Sequence, residues 1–131
     1  MTDHGAFTVH VIDDDAAVRE SLEALLLVAG YPVEAYASAE AYLEAPDAAD
    51  GCLLLDIHMP GMGGFGLMQA LAGRQPPLPV LVLTASRDEH LHRRALELGA
   101  RALLTKPVPQ AALLAALRAV GETPYPGRAD P

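Results

Sequence analysis

The chain has 131 residues, 51% hydrophobic and 20% charged, which suits one globular domain with a single core and shows no compositional sign of disorder. Its net charge of −8 would repel a phosphate backbone, so direct nucleic-acid contact by this chain is not expected. With no apolar run near the roughly 18 residues of a membrane span, Asp3 where a secretory signal needs positive charge, and a lone Cys52, the chain reads as soluble and cytoplasmic.

In chain order, residues 1–7 read as an N-terminal arm. The first apolar run is Val9-His10-Val11-Ile12, with His10 expected to pack at a sheet face. Val18, Leu22, Leu25, Leu26 and Ala29 then recur at helical spacing, and Gly30 sits where a C-terminal cap belongs. Val33 to Tyr36 is a weaker strand candidate. Cys52-Leu53-Leu54-Leu55 and Val80-Leu81-Val82-Leu83 are further apolar runs, with Gln75-Pro76-Pro77-Leu78-Pro79 read as the loop before the second of them. Ser86 followed by Glu89 predicts a capping box for a helix ending near Leu98-Gly99, on which His90 and His92 are expected to be exposed and to face apart. Ala102-Leu103-Leu104 is the last run, and Pro109 is expected in the first turn of a helix carrying Leu113, Ala116, Leu117 and Val120. Residues 122–131 read as a tail or linker stub, leaving 8–121 as the domain.

The runs alternate little, as expected of strands covered on both faces of a parallel sheet. Five strand–helix repeats predict a doubly wound α/β fold, in which ligands bind at the carboxyl ends of the strands. Those ends carry a selective set: Asp13, Asp14 and Asp15 after the first run, Asp56 after the third, Thr84 after the fourth and Lys106 after the fifth. Carboxylates ~4 Å apart repel by on the order of 4 kcal/mol at an effective dielectric of about 20, so the cluster calls for a counter-charge. Few, partly hydrated oxygen ligands suit Mg²⁺. A carboxylate such as Asp56 can accept a phosphoryl group, with the cation, Lys106 and the Thr84 hydroxyl each facing a phosphoryl oxygen. Lys106 is the one lysine beside eight arginines, and its ammonium is a compact charge that a guanidinium does not mimic.

Each residue has a simpler reading. Asp15 suits an N-cap, Asp56 a turn, Thr84 an ordinary strand position and Lys106 a solvated loop. Their coincidence at four strand ends favours a site.

Val11-Ile12-Asp13-Asp14-Asp15, the run from Leu53 to Gly64, Leu83-Thr84-Ala85 and the run from Gly99 to Pro107 carry a resemblance, which spans Thr8 to Val120. In order and spacing they are similar to the CheY-like receiver domain of two-component response regulators, most closely the FixJ-type class. The resemblance implies a (βα)5 flavodoxin-like fold with strand order 2-1-3-4-5. It implies phosphorylation of Asp56 by a sensor histidine kinase, a phosphotransfer protein or a small phosphodonor, and no turnover beyond self-phosphorylation and autodephosphorylation. Asp14, Asp56 and the His58 carbonyl would ligate Mg²⁺ directly, and Asp13 through water. Thr84 would be the switch hydroxyl, and Lys106-Pro107 a cis peptide aiming the lysine. Met59-Pro60-Gly61 and Gly63-Gly64 would form the turn after the acceptor.

Two departures stand out. Ala102 and Leu103 occupy positions where the family usually has an acid and an aromatic, and Gly63 replaces a commoner small polar residue. The aromatic that moves with the switch threonine is therefore missing, and a monomer or a weak phosphorylation-dependent homodimer is expected. FixJ-type proteins ordinarily add a DNA-binding domain, so this sequence reads as a single-domain regulator or as the receiver part of such a factor. A phosphorylation-independent pseudo-receiver and a flavodoxin-like cofactor binder are the alternatives. The second is disfavoured by the lack of a Ser/Thr-rich phosphate loop. A phosphatase of the dehalogenase type would need an acid where His58 stands.

Overall fold

A computed structural model describes residues 7–45, 51–73 and 78–122. Five strands alternate with five helices: β1 (Val9–Ile12), α1 (Ala16–Val28), β2 (Val33–Tyr36), α2 (Ala39–Glu44), β3 (Cys52–Asp56), α3 (Gly63–Leu71), β4 (Val80–Thr84), α4 (Glu89–Glu97), β5 (Ala102–Thr105) and α5 (Gln110–Glu122). The strands form one parallel sheet in the order β2-β1-β3-β4-β5, the order implied by the resemblance.

Burial explains which runs were easy to read. β1, β3 and β4 are buried throughout, which is why they are nearly continuous Val, Ile and Leu. β2 and β5 are the edges, and their residues are half-buried or exposed. The weak apolar signal of Val33–Tyr36 is thus an edge-strand signal. Alternate residues of the central strands feed two cores. Ile12, Leu53, Leu55, Val80 and Val82 meet Ala39 and Tyr42 of α2, Leu67 and Met68 of α3, and Ala95 of α4. Val9, Val11, Cys52, Leu54 and Leu81 meet Leu26 of α1 and Leu113, Leu117 and Val120 of α5. Each fully buried Leu or Val contributes about 1.5–3 kcal/mol, so the two layers clamp the sheet from both sides.

The helix ends follow local chemistry. The Asp15 carboxylate caps α1, accepting from the Ala17 and Val18 amides at 2.9 and 3.3 Å. α1 and α4 close alike: Tyr31 N–H reaches Leu26 O and Ala100 N–H reaches Ala95 O, with Gly30 and Gly99 at φ +99° and +108°. The expected capping box of Ser86 and Glu89 is not formed. Asp88 caps α4 through the His90 amide, and Ser86 Oγ instead accepts from the Asp88 amide. An aspartate one residue before the helix competes better for its orphan N–H groups than a serine three residues before it. Pro109 lies just outside α5 and not in its first turn, its carbonyl accepting from the Ala112 and Leu113 amides. Likewise Gly63 and Gly64 open α3, so the turn after Asp56 comprises residues 57–62. Of the proline-rich loop, residues 75–77 lie outside the described residues, as do 1–6 of the arm and 123–131 of the tail. Among the described residues no helix is long and apolar enough to cross a membrane.

Candidate functional site

Parallel register brings the strand ends to one edge. Asp13 follows β1, and its amide extends the β1–β2 ladder to the Tyr36 carbonyl at 3.1 Å. Asp56 is the last residue of β3 and pairs with Leu83 of β4. Thr84 ends β4 opposite Thr105, and the Lys106 amide continues that ladder to the Thr84 carbonyl at 2.7 Å. Asp13, Asp56 and Thr84 are all buried, with Thr84 fully so. These are the main polar intrusions into an apolar core, and they stand together.

Lys106 ties the edge. Its Nζ lies 3.1 Å from Asp13 Oδ2 and 3.5 Å from Asp56 Oδ2, closing contacts 93 and 50 residues apart in sequence. The Lys106-Pro107 peptide is cis, as expected. Burial opposes the lysine charge, but the hydrogen bond and charge of Asp13 and the charge of Asp56 outweigh it and hold the ammonium above its ordinary pKa. Asp56 also moves upward, in spite of Lys106 and not because of it. Burial pushes its carboxyl above the usual aspartate value, although the His58 amide and Lys106 favour the ionised form; Asp13 adds to the rise. The carboxylate is thus partly desolvated and held in place beside one ammonium.

The acids divide the work unequally. Ligand oxygens of Asp13, Asp14 and Asp56 lie within 4.8 Å of one another, close enough to share one cation. Asp13 already accepts from the Asp15 amide at 2.9 Å through Oδ1 and from Lys106 through Oδ2. Asp14 is exposed and faces the solvent side of the cluster. Asp56 Oδ1 accepts from the His58 amide at 3.0 Å. All-oxygen donors with open access to water suit a hard divalent ion of the Mg²⁺ type. His58 sits on the loop two residues past Asp56 with its side chain exposed, and its backbone amide is the group that meets the Asp56 carboxylate. Thr84 Oγ1 accepts from the Ser86 amide at 3.0 Å, which leaves its own proton free to donate.

Backbone space around Asp56 is tight. A Cβ on Gly64 would lie 2.5 Å from Ile57 Cα and 2.9 Å from the Asp56 carbonyl oxygen. Glycine here lets α3 start directly against the loop that follows Asp56.

Residues 9–118 match the response regulator receiver domain family. The chain belongs to that family. It is 44% identical over 124 residues to the transcriptional regulatory protein FixJ of Azorhizobium caulinodans, covering 93% of this chain and 59% of that protein. FixJ of Bradyrhizobium diazoefficiens is 42% identical over 100 residues, covering 76% and 49%. The crystal structure of FixJ-N superposes with a TM-score of 0.83 at 34% identity, over 95% of this chain and 98% of that one. CheY4 of Vibrio cholerae gives 0.78 at 28%, over 88% and 98%. The chain is thus a receiver domain of the FixJ type and spans about half the length of the FixJ proteins it matches. Receiver domains bind Mg²⁺ at an acidic pocket, work with histidine kinases or phosphotransfer partners, and are generally not classical enzymes; in this chain Asp13, Asp14 and Asp56 form an acidic cluster whose oxygens could hold such an ion.

The structure also places residues the sequence left aside. Arg19 of α1 donates through Nη1 to the Asp13 carbonyl at 2.7 Å, bracing the acidic loop from behind. His92, expected to be exposed, is half-buried, and its Nε2 donates to the Ser86 carbonyl at 2.7 Å. His90 is exposed as expected. His10 is buried beside Tyr36 and Tyr42, with ring centroids at 6.1 and 5.7 Å, and does not belong to the acidic grouping found among the described residues. Cys52 is a buried apolar filler whose thiol is pushed up to about 12 by burial. Leu103 is half-buried against the core on the α2–α4 side.

Proposed function

We propose that this receiver accepts a phosphoryl group on Asp56 and signals by a change in conformation. The observation that carries the reading is the buried Asp56 carboxylate, set beside two further acids and 3.5 Å from the one lysine of the chain. An Asp56 oxygen attacks the phosphorus of a phosphohistidine or a small phosphodonor. The new O–P bond forms as the donor's bond to phosphorus breaks, and its electron pair leaves with the donor. The product is an acyl phosphate. Lys106 Nζ neutralises charge on one phosphoryl oxygen, and the Thr84 hydroxyl donates its unused proton to another. Asp14, Asp56 and the His58 carbonyl would hold Mg²⁺ directly and Asp13 through water, in keeping with the two protein donors already on Asp13. When bound, the ion supplies positive charge between the acids and the incoming phosphoryl.

The partner in this reading is a cytoplasmic sensor histidine kinase or phosphotransfer protein. The chain works as a single-domain regulator or as the receiver of a FixJ-type transcription factor, itself monomeric or weakly dimeric when phosphorylated. Turnover is limited to self-phosphorylation and autodephosphorylation.

Incubation with acetyl phosphate and Mg²⁺, read by intact mass, tests the reading. One phosphoryl is expected on the parent and none on Asp56→Asn. Equal labelling of the variant would refute the acceptor, and an unlabelled parent would make the chain a pseudo-receiver.

A further inference from the structure

The turn from Ile57 to Met62 separates the acceptor from α3, and it is held at both ends. At its inner end the His58 amide donates to Asp56 Oδ1 at 3.0 Å. At its outer end the Met62 amide donates to Glu40 Oε2 at 2.9 Å, a contact across 22 residues of sequence. Met62 is the N-cap of α3 and has no side-chain capping bond of its own. In a capping box the N-cap amide is satisfied by a glutamate or glutamine at the third helical position. In α3 that position is Phe65, which cannot do so. Glu40, from the first turn of α2, supplies the missing carboxylate from another helix.

Two further observations accompany the contact. Gly61 has φ +78°, and a Cβ there would lie 2.7 Å from Glu40 Oε2, so the carboxylate occupies the space a side chain would take. The Met62 amide also holds the Glu40 carboxyl below its ordinary pKa, as expected of a bond made to the ionised form.

We propose that Glu40 is a positioning residue for the phosphoacceptor: by holding the Met62 amide it fixes the turn 57–62, and through the His58 amide that turn fixes the orientation of the Asp56 carboxylate. This inference rests on the reading of Asp56 given above. Loss of the anchor frees the outer end of the turn, so the His58 backbone no longer presents one geometry to the acceptor and to a cation beside it. Partners outside the reacting group commonly set ligand geometry in this way.

The test compares the parent with Glu40→Ala, Glu40→Gln and Ser38→Ala, at a temperature where all four are folded. Ser38 Oγ caps α2 through the Ala41 amide at 3.0 Å, so Ser38→Ala weakens α2 without removing the Glu40–Met62 bond. Magnesium is titrated against the amide NMR signals of the turn, and phosphorylation by acetyl phosphate is followed by mass. Glu40→Ala is expected to raise the Mg²⁺ dissociation constant and slow phosphorylation together, each by roughly three- to tenfold, the effect of losing one net hydrogen bond. Glu40→Gln, which keeps an acceptor oxygen, is expected to restore both. Ser38→Ala is expected to lower the melting temperature while leaving both near the parent values. A phosphorylatable parent with an unaffected Glu40→Ala overturns this inference alone, and so does a Ser38→Ala variant impaired as much as Glu40→Ala. A parent that neither binds Mg²⁺ nor takes a phosphoryl overturns this inference and the reading of Asp56 together.

Discussion

Asp56 ionises against its surroundings, because burial raises its carboxyl further than the His58 amide and Lys106 lower it. A carboxyl with a folded pKa above its unfolded one binds its proton more tightly when folded. Its ionisation therefore costs stability as pH rises through that window, starting from the ordinary aspartate value near 3.8. Asp56→Asn, measured without divalent ions, is expected to raise the melting temperature at neutral pH, with the gain shrinking as pH falls towards about 4. A variant less stable than the parent at pH 7 would mean that the Lys106 contact outweighs burial. Lysine identity is testable at the same scale. Lys106 Nζ reaches two carboxylates at 3.1 and 3.5 Å as a single point charge. Lys106→Arg keeps the charge but replaces it with a planar fork, so phosphorylation or the response to it should be impaired in a folded protein. Unchanged labelling and an unchanged response would show that charge alone suffices.

At the scale of elements, the β3–α3 junction carries the tightest backbone packing near the site. A Cβ on Gly64 would strike Ile57 Cα at 2.5 Å, and neither atom sits on a flexible side chain that could swing away. Gly64→Ala is expected to cost about 1–3 kcal/mol in denaturant melts and to slow phosphorylation, since the collision displaces the peptide that follows Asp56. Gly73 has nothing within 4 Å of such a Cβ, and Gly73→Ala should stay within about 0.5 kcal/mol of the parent. Equal behaviour of the two variants would show that α3 can shift without consequence. The β4–α4 junction is braced differently. The Ser86 amide holds Thr84 Oγ1 while the Ser86 carbonyl takes the His92 ring, so one residue joins the threonine to α4.

For the whole molecule, the acidic cluster and the face beyond it make separate demands. Three acids with ligand atoms within 4.8 Å of one another repel when no cation is bound, so Mg²⁺ should stabilise the fold. At ten times its dissociation constant the gain is about 1.4 kcal/mol, and Asp14→Ala should reduce it. Thermal melts with and without Mg²⁺ decide this, and an undiminished shift in the variant would remove Asp14 from the site. Leu103 bears on how a phosphoryl group at the site would be transmitted. Leu103 packs half-buried near α4, where a larger ring would gain more contact on moving inward. A modification shifts a two-state equilibrium only by its differential interaction with the two states. Any dimer formed with a beryllofluoride phosphoryl mimic should therefore be weak, and Leu103→Tyr should tighten it. Sedimentation showing a tight parent dimer, indifferent to that change, would place the signal on another face.

Local chemistry in the sequence was enough to determine the strands, the helix stops at Gly30 and Gly99, the Asp15 cap and the strand-end set of Asp13, Asp56, Thr84 and Lys106. Burial on both faces writes continuous apolar runs, and each cap acts within a few residues of its helix. The edge strand at Val33–Tyr36 was fainter because one side of it faces solvent. The sequence does not separate Ser86 from Asp88 as the cap of α4, because both offer an oxygen just before the helix, and only the backbone path chooses between them. Arg19 on the Asp13 carbonyl, His92 on Ser86 and Glu40 on Met62 left no trace in the sequence, because each ends on a backbone atom, and every residue has one. Only the tertiary structure could decide those contacts: which amide or carbonyl a side chain reaches depends on how the helices pack, at separations of 6 to 22 residues.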